Sequence, residues 1–317
     1  MFSVYTICTP DYLPYSRVTI ESFLLSNPNY SFHLFFTEDS SLENDLFADE
    51  RIIVHFVEKL QLEELESVKK KYNVFEYCNA LKPFLAHWLL NNFPIEKLIY
   101  SDSDMMYFGR VTDVETLLEM NNFILTPHIC KPIPIDHKKH DEQDFLRAGI
   151  FNGGFFAIKK SHDSLLILEW WKERMKHYCF NDQPKGLFVD QIWLNLVPLL
   201  FEGVIVLKNL GYNMGPWNLS ERRLSYDGKF MVNESEQLIC YHYSGYRYNR
   251  PEILSKYQNR YSFEQRKDLI QLYQLYYDEL ISKGVSENYT ESNFQERKFE
   301  RIKHKIINKI KTILNHQ

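Results

Sequence analysis

The chain has 317 residues, 44% of them hydrophobic and 15% aromatic, and a formal net charge of −5. That composition supplies a large core, excludes a disordered protein and gives no overall electrostatic pull toward nucleic acid. The first residues show neither a basic leader nor a long apolar segment, and no later run reaches bilayer-spanning length, so the chain reads as a cytoplasmic protein.

Residues 2–8 are a short apolar, β-rich run, followed by Thr9-Pro10-Asp11-Tyr12 and a helical pattern over 15–25. Strands are predicted over 31–37 and 52–57, joined by Asp-, Glu- and Ser-rich connections. Such alternation implies a mostly parallel sheet covered by helices. A charged amphipathic helix is predicted over 62–71 and a more apolar one over 79–92, with Pro83 in its first turn, where a missing N–H does no harm. Lys82 then falls near a helix start, either as a solvated lysine or as a phosphate contact.

The stretch from Lys97 to Phe108 is an apolar run that ends in Asp102 and Asp104, one residue apart. On an extended chain these carboxylates point one way and Ser103 the other. Two anions in one dry site are costly unless a divalent cation or a shared proton lies between them. At the carboxyl end of a buried strand in an α/β sheet, a hard metal carrying a phosphate fits that need. The plainer reading is that the two acids cap the next helix, but Thr112-Asp113-Val114-Glu115 already offers a capping box there, directly before Leu117 and Leu118.

A strand over 123–127 precedes a long loop over 128–147, whose prolines and charges show no periodicity; its His137, His140 and Asp141 read as solvated rather than as metal ligands. Asn152-Gly153-Gly154 reads as a turn between apolar segments, either a plain hairpin or a place where a ligand approaches the backbone and Asn152 offers donor and acceptor. A helix over 161–178 turns Leu165, Leu168, Trp171 and Met175 to the core. Asp190 and Gln191 then stand at the entry to a helix, as a first-turn acid or as a carboxylate and amide at a pocket edge. After a strand over 203–207, the loop over 211–219, with Trp217 and Asn218, has the aromatic faces and amides that suit a sugar ring. The run over 238–245 is another strand that stops at a potential ligand, His242, though a lone His there is commonly structural.

Taken in order, Thr9-Pro10-Asp11-Tyr12, Asp102-Ser103-Asp104, Asn152-Gly153-Gly154, Asp190-Gln191 and His242-Tyr243-Ser244-Gly245 resemble the motifs of GT-A-type glycosyltransferases, and are most similar to the family 8-like nucleotide-sugar transferases, over residues 2–246. The resemblance implies an α/β, Rossmann-like GT-A catalytic domain over 1–250, with a mostly parallel central sheet flanked by helices. It implies metal-dependent transfer of a sugar from a nucleotide-sugar donor, UDP-linked, to a hydroxyl of a saccharide or lipid-linked glycan. Asp102, Asp104 and His242 would hold Mn²⁺ or Mg²⁺ on the donor diphosphate. Thr9, Asp11 and Tyr12 would lie beside the nucleotide, and Lys82 would add positive charge near the phosphates. Asn152, Gly153 and Gly154 would flank the donor sugar beside Asp190 and Gln191, the catalytic pair, with Ser103, Trp217, Asn218 and Gly245 completing the donor site.

The chain departs from that pattern after Gly245, where Tyr246-Arg247-Tyr248-Asn249-Arg250 replaces the Lys and Trp of those relatives, so Arg247 or Arg250 would have to stand in. Gln191 beside Asp190 resembles the retaining arrangement, which needs no strong base opposite the leaving group. Two other functions share this sheet. A sugar-phosphate nucleotidyltransferase would need a glycine-rich basic phosphate loop near the amino terminus, which the sequence lacks, and a silent sugar-binding module would have no use for a full metal set.

Residues 251–317 are expected to form a helical extension, with Tyr273, Tyr276, Tyr277 and Leu280 on its packing face. In the last segment, 296–317, Phe299, Ile302, Ile306, Ile310 and Ile313 form one stripe edged by lysines and arginines. Such a helix either docks on the domain or lies on an anionic membrane surface, here the inner face. The five cysteines, Cys8, Cys78, Cys130, Cys179 and Cys240, lack metal-type spacing and read as reduced, mostly buried thiols.

Overall fold

A computed structural model describes residues 1–38 and 47–285. Among these residues, seven strands form the central sheet. From one edge they run Val204–Val206, β6 (Phe123–Pro127), β7 (Phe151–Lys159), β4 (Lys97–Ser101), β1 (Phe2–Cys8), β2 (Ser31–Phe36) and β3 (Ile52–Phe56). All neighbouring pairs are parallel except those of β7, which runs antiparallel to both β4 and β6. The fold is thus α/β with a mostly parallel sheet flanked by helices, as the alternating pattern predicts.

Alternation along β1 divides the core. Tyr5 and Ile7 join Leu98, Tyr100 and Phe156 beneath α3 (Val74–Asn92) and α6 (His162–Tyr178). Val4 and Cys8 face the other way, joining Ile99 and Phe155 beneath α1 (Leu13–Ser26) and α4 (Thr112–Met120). A strand covered on both faces has no polar side, which is why β1 and β4 read as continuous apolar runs. The charged helix predicted from residue 62 is α2 (Glu63–Lys71).

Several local expectations give way to the structure. Helix α3 begins at Val74, where Asn73 and Glu76 form a reciprocal capping box, so Pro83 lies well inside the helix and Lys82 is mid-helix and buried. The cap signal upstream sets the start, and the proline is absorbed. The box expected at Thr112–Glu115 does not form. Val111 holds the cap position, its N–H bound by Asn27 Oδ1 at 3.0 Å, and Glu115 instead accepts from the Tyr30 hydroxyl at 2.6 Å. The end of the 128–147 loop is helical, α5 (Glu142–Ala148), because Asp141 and Asp144 cap it reciprocally. Asn152-Gly153-Gly154 makes no turn. It lies inside β7, in the stretch before the strand pairs with β4, where Gly153 O takes the Lys82 ammonium and Gly154 O the Asp102 N–H.

In the extension, the helix Ile270–Ser282 buries Leu272, Tyr273, Tyr276 and Leu280, with Tyr277 half-buried. Tyr276 stacks on Tyr243 at 3.6 Å between ring centroids, and the Tyr241 and Tyr273 hydroxyls meet at 2.9 Å. The basic segment 296–317 lies outside the described residues. All five cysteines are free; Cys8, Cys179 and Cys240 are buried, Cys78 is half-buried and Cys130 is exposed.

Across β2 and β3, His33 Nδ1 and His55 Nε2 meet at 2.9 Å with stacked rings, packed by Phe93 and Trp88. Burial holds His33 down to about 3, helped by its His55 neighbour, and holds His55 down to about 4. Both therefore stay neutral while the same imidazoles in the unfolded chain take up protons around 6.5, so stability should fall as pH drops from 6.5 toward 4. Urea midpoints across that window should show the decline in wild type and a flatter profile in the double variant His33→Phe/His55→Phe.

Candidate active site

Strand β4 stops at Ser101, and Asp102, Ser103 and Asp104 turn the chain into β5 (Met105–Tyr107). The two aspartates are therefore not on an extended strand, and their convergence has another cause. Thr19 on α1 pins the turn from below: its hydroxyl lies 2.9 Å from Ser103 O and 2.7 Å from Met105 O, and it accepts from the Met105 N–H. Asp102 N–H donates to Gly154 O at 2.8 Å, tying the turn to β7. Strand Cys240–His242 pairs antiparallel with β5, placing His242 opposite Met105, and Tyr243 N–H donates to Asp104 O.

The result is a three-residue cluster. His242 Nε2 lies 3.0 Å from Asp104 Oδ1 and 3.8 Å from Asp102 Oδ2, and one ligand atom from each residue falls within 4.8 Å of the others. The imidazole is buried, whereas the Asp102 and Asp104 side chains stay 29% and 24% exposed, so the cluster opens on one side. Burial alone would strip His242 of its proton, but the Asp104 and Asp102 carboxylates outweigh it and raise the imidazole. Burial likewise pushes Asp104 up, and the facing His242 overrides it and holds it low. The space between these groups favours a cation. Two carboxylate oxygens and an imidazole nitrogen are donors that Mn²⁺ accepts readily, and Mg²⁺ through the oxygens.

Beneath this cluster lies Lys82, buried at 2% exposure. Its Nζ donates to Gly153 O at 2.9 Å and pairs with Asp190 Oδ2 at 3.1 Å and Asp102 Oδ1 at 3.5 Å. Lys82 is raised: burial opposes its charge, but Asp102 and Asp190 more than compensate. Asp190 is pushed up to about 6 by burial, with Lys82 pulling against the rise and Asp102 adding to it. The Tyr100 hydroxyl donates to Asp102 Oδ1 at 2.5 Å, which leaves Oδ2 facing His242.

The glycines of β7 make this crowding possible. A Cβ on Gly153 would come within 2.4 Å of Asp190 Oδ2, and one on Gly154 within 2.5 Å of His242 Cε1 and 2.7 Å of Asp102 Oδ2. Gln191 is held at both ends, its Nε2 donating to Ala148 O and its Oε1 accepting from Gly153 N–H.

A cleft of about 1230 Å³ opens above these groups. Asp102, Asp104, His242, Asp190, Gln191 and Lys82 line it, as do Thr9, Asp11, Tyr12 and Ser103. Asn152, Gly154, Trp217 and Gly245 also reach it, and so does Arg247, whereas Arg250 does not. Gly153 and Asn218 lie behind the wall. Asn218 is fully buried, its Nδ2 facing His128 O and Asn213 O and its Oδ1 accepting from Gly215 N–H, so it shapes the loop. Trp217 packs edge-on against His242 at 5.1 Å and His128 at 5.6 Å. Sequence reasoning passed over Tyr100, His128 and Lys139, since none carries a local motif, and marked only the loops that hold Asn213 and Asp144.

No protein-family model matches the chain. Two uncharacterized proteins of Bacillus subtilis (strain 168) are similar to it in sequence: YfnF at 31% identity over 60% of this chain and 63% of its own length, and YfnD at 28% identity over 61% of each. The chain thus spans under two thirds of the curated relatives it matches. Among solved structures, the galactosyltransferase LgtC in complex with donor and acceptor sugar analogs aligns with a TM-score of 0.50 at 15% identity, covering 90% of this chain and 98% of LgtC. An active-site mutant of LgtC aligns over the same shares at 0.50 and 16%. These likenesses establish the class of architecture: the chain has the fold of the GT-A glycosyltransferases.

Gly154→Ala should force His242 and Asp102 apart. The variant is expected to fold with lowered stability and to bind Mn²⁺ at least about 10-fold more weakly, measured as loss of the Mn²⁺-induced rise in melting temperature.

Proposed function

We propose that the protein is a metal-dependent glycosyltransferase that moves a sugar from a nucleotide-sugar donor, UDP-linked, to a hydroxyl of a saccharide or lipid-linked glycan. The observation that carries this reading is the convergence of Asp102, Asp104 and His242 at the floor of a large cleft, at the end of β4 in a GT-A fold. These three residues would hold Mn²⁺ or Mg²⁺, which, when bound, offsets the negative charge on the departing nucleoside diphosphate. Thr9, Asp11, Tyr12 and Ser103 would receive the nucleotide, and Asn152, Gly154, Gln191 and Trp217 the donor sugar. Arg247 is the better placed of the two arginines to meet the diphosphate, since it lines the cleft.

Retention of configuration belongs to the proposal. Asp190 is engaged by Lys82, whereas inversion requires a carboxylate ready to take the proton of the acceptor hydroxyl. Residues 1–250 would form the catalytic unit, and 251–317 the extension whose basic end meets an anionic membrane surface. No helix among the described residues is long and apolar enough to cross a membrane.

Incubation with a panel of nucleotide sugars and Mn²⁺ should release nucleoside diphosphate, and EDTA should stop it. Asp102→Asn and Asp104→Asn should each cut release at least about 100-fold, while Asp113→Asn, on α4 and outside the cleft, should leave it nearly intact. Release of pyrophosphate would instead identify a nucleotidyltransferase, and donor binding without turnover a silent module. For the membrane contact, deletion of 296–317 should abolish sedimentation with anionic liposomes, and unchanged sedimentation would end that part of the reading.

A further inference from the structure

Asn213 sits behind His242, 1% exposed, with a left-handed backbone at φ 48°. Asparagine is among the few residues other than glycine that tolerate that conformation. Its backbone is fastened as well, with the N–H on Cys240 Sγ at 3.2 Å and the carbonyl accepting from Asn218 Nδ2 at 3.3 Å.

Which end of its amide faces His242 follows from two independent anchors. The Thr126 hydroxyl donates to Phe155 O at 2.9 Å, which uses its proton, so the Asn213 group 3.0 Å from Thr126 Oγ1 must be a donor. Asn152 Oδ1 accepts from Gly154 N–H at 2.8 Å, and the same Asn213 nitrogen reaches it at 3.1 Å. Both anchors assign Nδ2 to the β6 and β7 side. The oxygen of Asn213 is therefore the atom 3.3 Å from His242 Nδ1, and Nδ1 must carry a proton to meet it. The lone pair of a neutral His242 is then confined to Nε2, the nitrogen that faces Asp102 and Asp104.

We infer that Asn213 is the positioning residue of the metal site: it selects the tautomer in which His242 can act as a ligand and, through the same amide, joins that ligand to Asn152 in the wall of the cleft. The inference rests on the metal reading above. Residues that receive the second N–H of a metal-binding imidazole fix its orientation and raise its basicity, and their loss usually weakens metal binding by about 10–100-fold. A purely structural Asn213 would instead be needed for its donor end, which ties β6 to β7, and the identity of its acceptor atom would not matter.

The test uses the full chain and Mn²⁺, with free Mn²⁺ read by electron paramagnetic resonance. Asn213→Gly removes the side chain while keeping a residue suited to positive φ, and it should weaken Mn²⁺ by about 10–100-fold. Asn213→Asp keeps an acceptor for His242 Nδ1 and loses the donor, and it should recover most of that loss. Equal binding by wild type and Asn213→Gly overturns the inference, as does an Asn213→Asp variant as weak as Asn213→Gly. A wild type that binds no Mn²⁺ brings down the metal reading itself, a result distinct from either. A measurement on unsubstituted protein covers the case in which a variant fails to fold. With ¹⁵N-labelled histidine and Mg²⁺, the His242 resonances, assigned by their absence in His242→Gln, should show the proton on Nδ1; a proton on Nε2 alone refutes the inference.

Discussion

Lys82 carries the positive charge against which the acids of the cleft floor are assembled. Two carboxylates, Asp102 and Asp190, share it, and a third, Asp104, stands one residue from Asp102. Placing such charges at the edge of a core costs several kcal/mol per ion unless partners are fixed in advance. The fold fixes this one firmly. Lys82 is held mid-helix in α3, its own carbonyl accepts from the Tyr5 hydroxyl at 2.8 Å, and its ammonium lies 4.8 Å from the centre of the Tyr100 ring. Pro83 is tolerated one residue on because the helix is set by the Asn73–Glu76 box at its start and by packing against α6.

The β7 glycines follow from the same constraint. A strand running antiparallel between β4 and β6 brings its backbone against the turn that holds Asp102, and any side chain there would occupy the space of His242, Asp102 or Asp190. Gly153 and Gly154 thus serve the protein's own charged groups first: Gly153 O takes the Lys82 ammonium and Gly154 O the Asp102 amide. The loss of β propensity at these two positions is the local cost, and pairing of residues 156–158 with both neighbouring strands holds β7 in place beyond them.

Much of this was legible in the sequence. Alternating apolar runs and helical patterns gave the parallel sheet, the spacing of Asp102 and Asp104 marked the pair of acids, and the resemblance to GT-A glycosyltransferases added His242 to them. What misled was local chemistry with more than one outlet. Thr112 and Glu115 match a capping box, yet Glu115 is taken by Tyr30, a partner 85 positions away, and Val111 holds the cap position instead, so Asp102 and Asp104 are left out of the cap for a reason other than the box. Asn152-Gly153-Gly154 has the composition of a turn, and only the two neighbouring strands decide that it is extended. Asn213 was unreadable for the same reason: its role depends on Thr126, Asn152 and His242, which the chain supplies from three separate strands.

Two members of the cluster divide their polar atoms between the protein and the space that the cluster encloses. Asp102 divides its two oxygens, Oδ1 toward Tyr100 and Lys82 below and Oδ2 toward His242 and the open side. His242 divides its two nitrogens in the same way, Nδ1 toward Asn213 and Nε2 toward the carboxylates. Asp102 and His242 therefore each have one atom tied to the protein and one turned toward the space between the three side chains. With no cation between them, His242 Nε2 and Asp104 Oδ1 face each other at 3.0 Å, and each holds the other's charge in place. On the metal reading, affinity would depend on residues that never touch the ion, and the sheet and helices matter to the site because they hold those residues still.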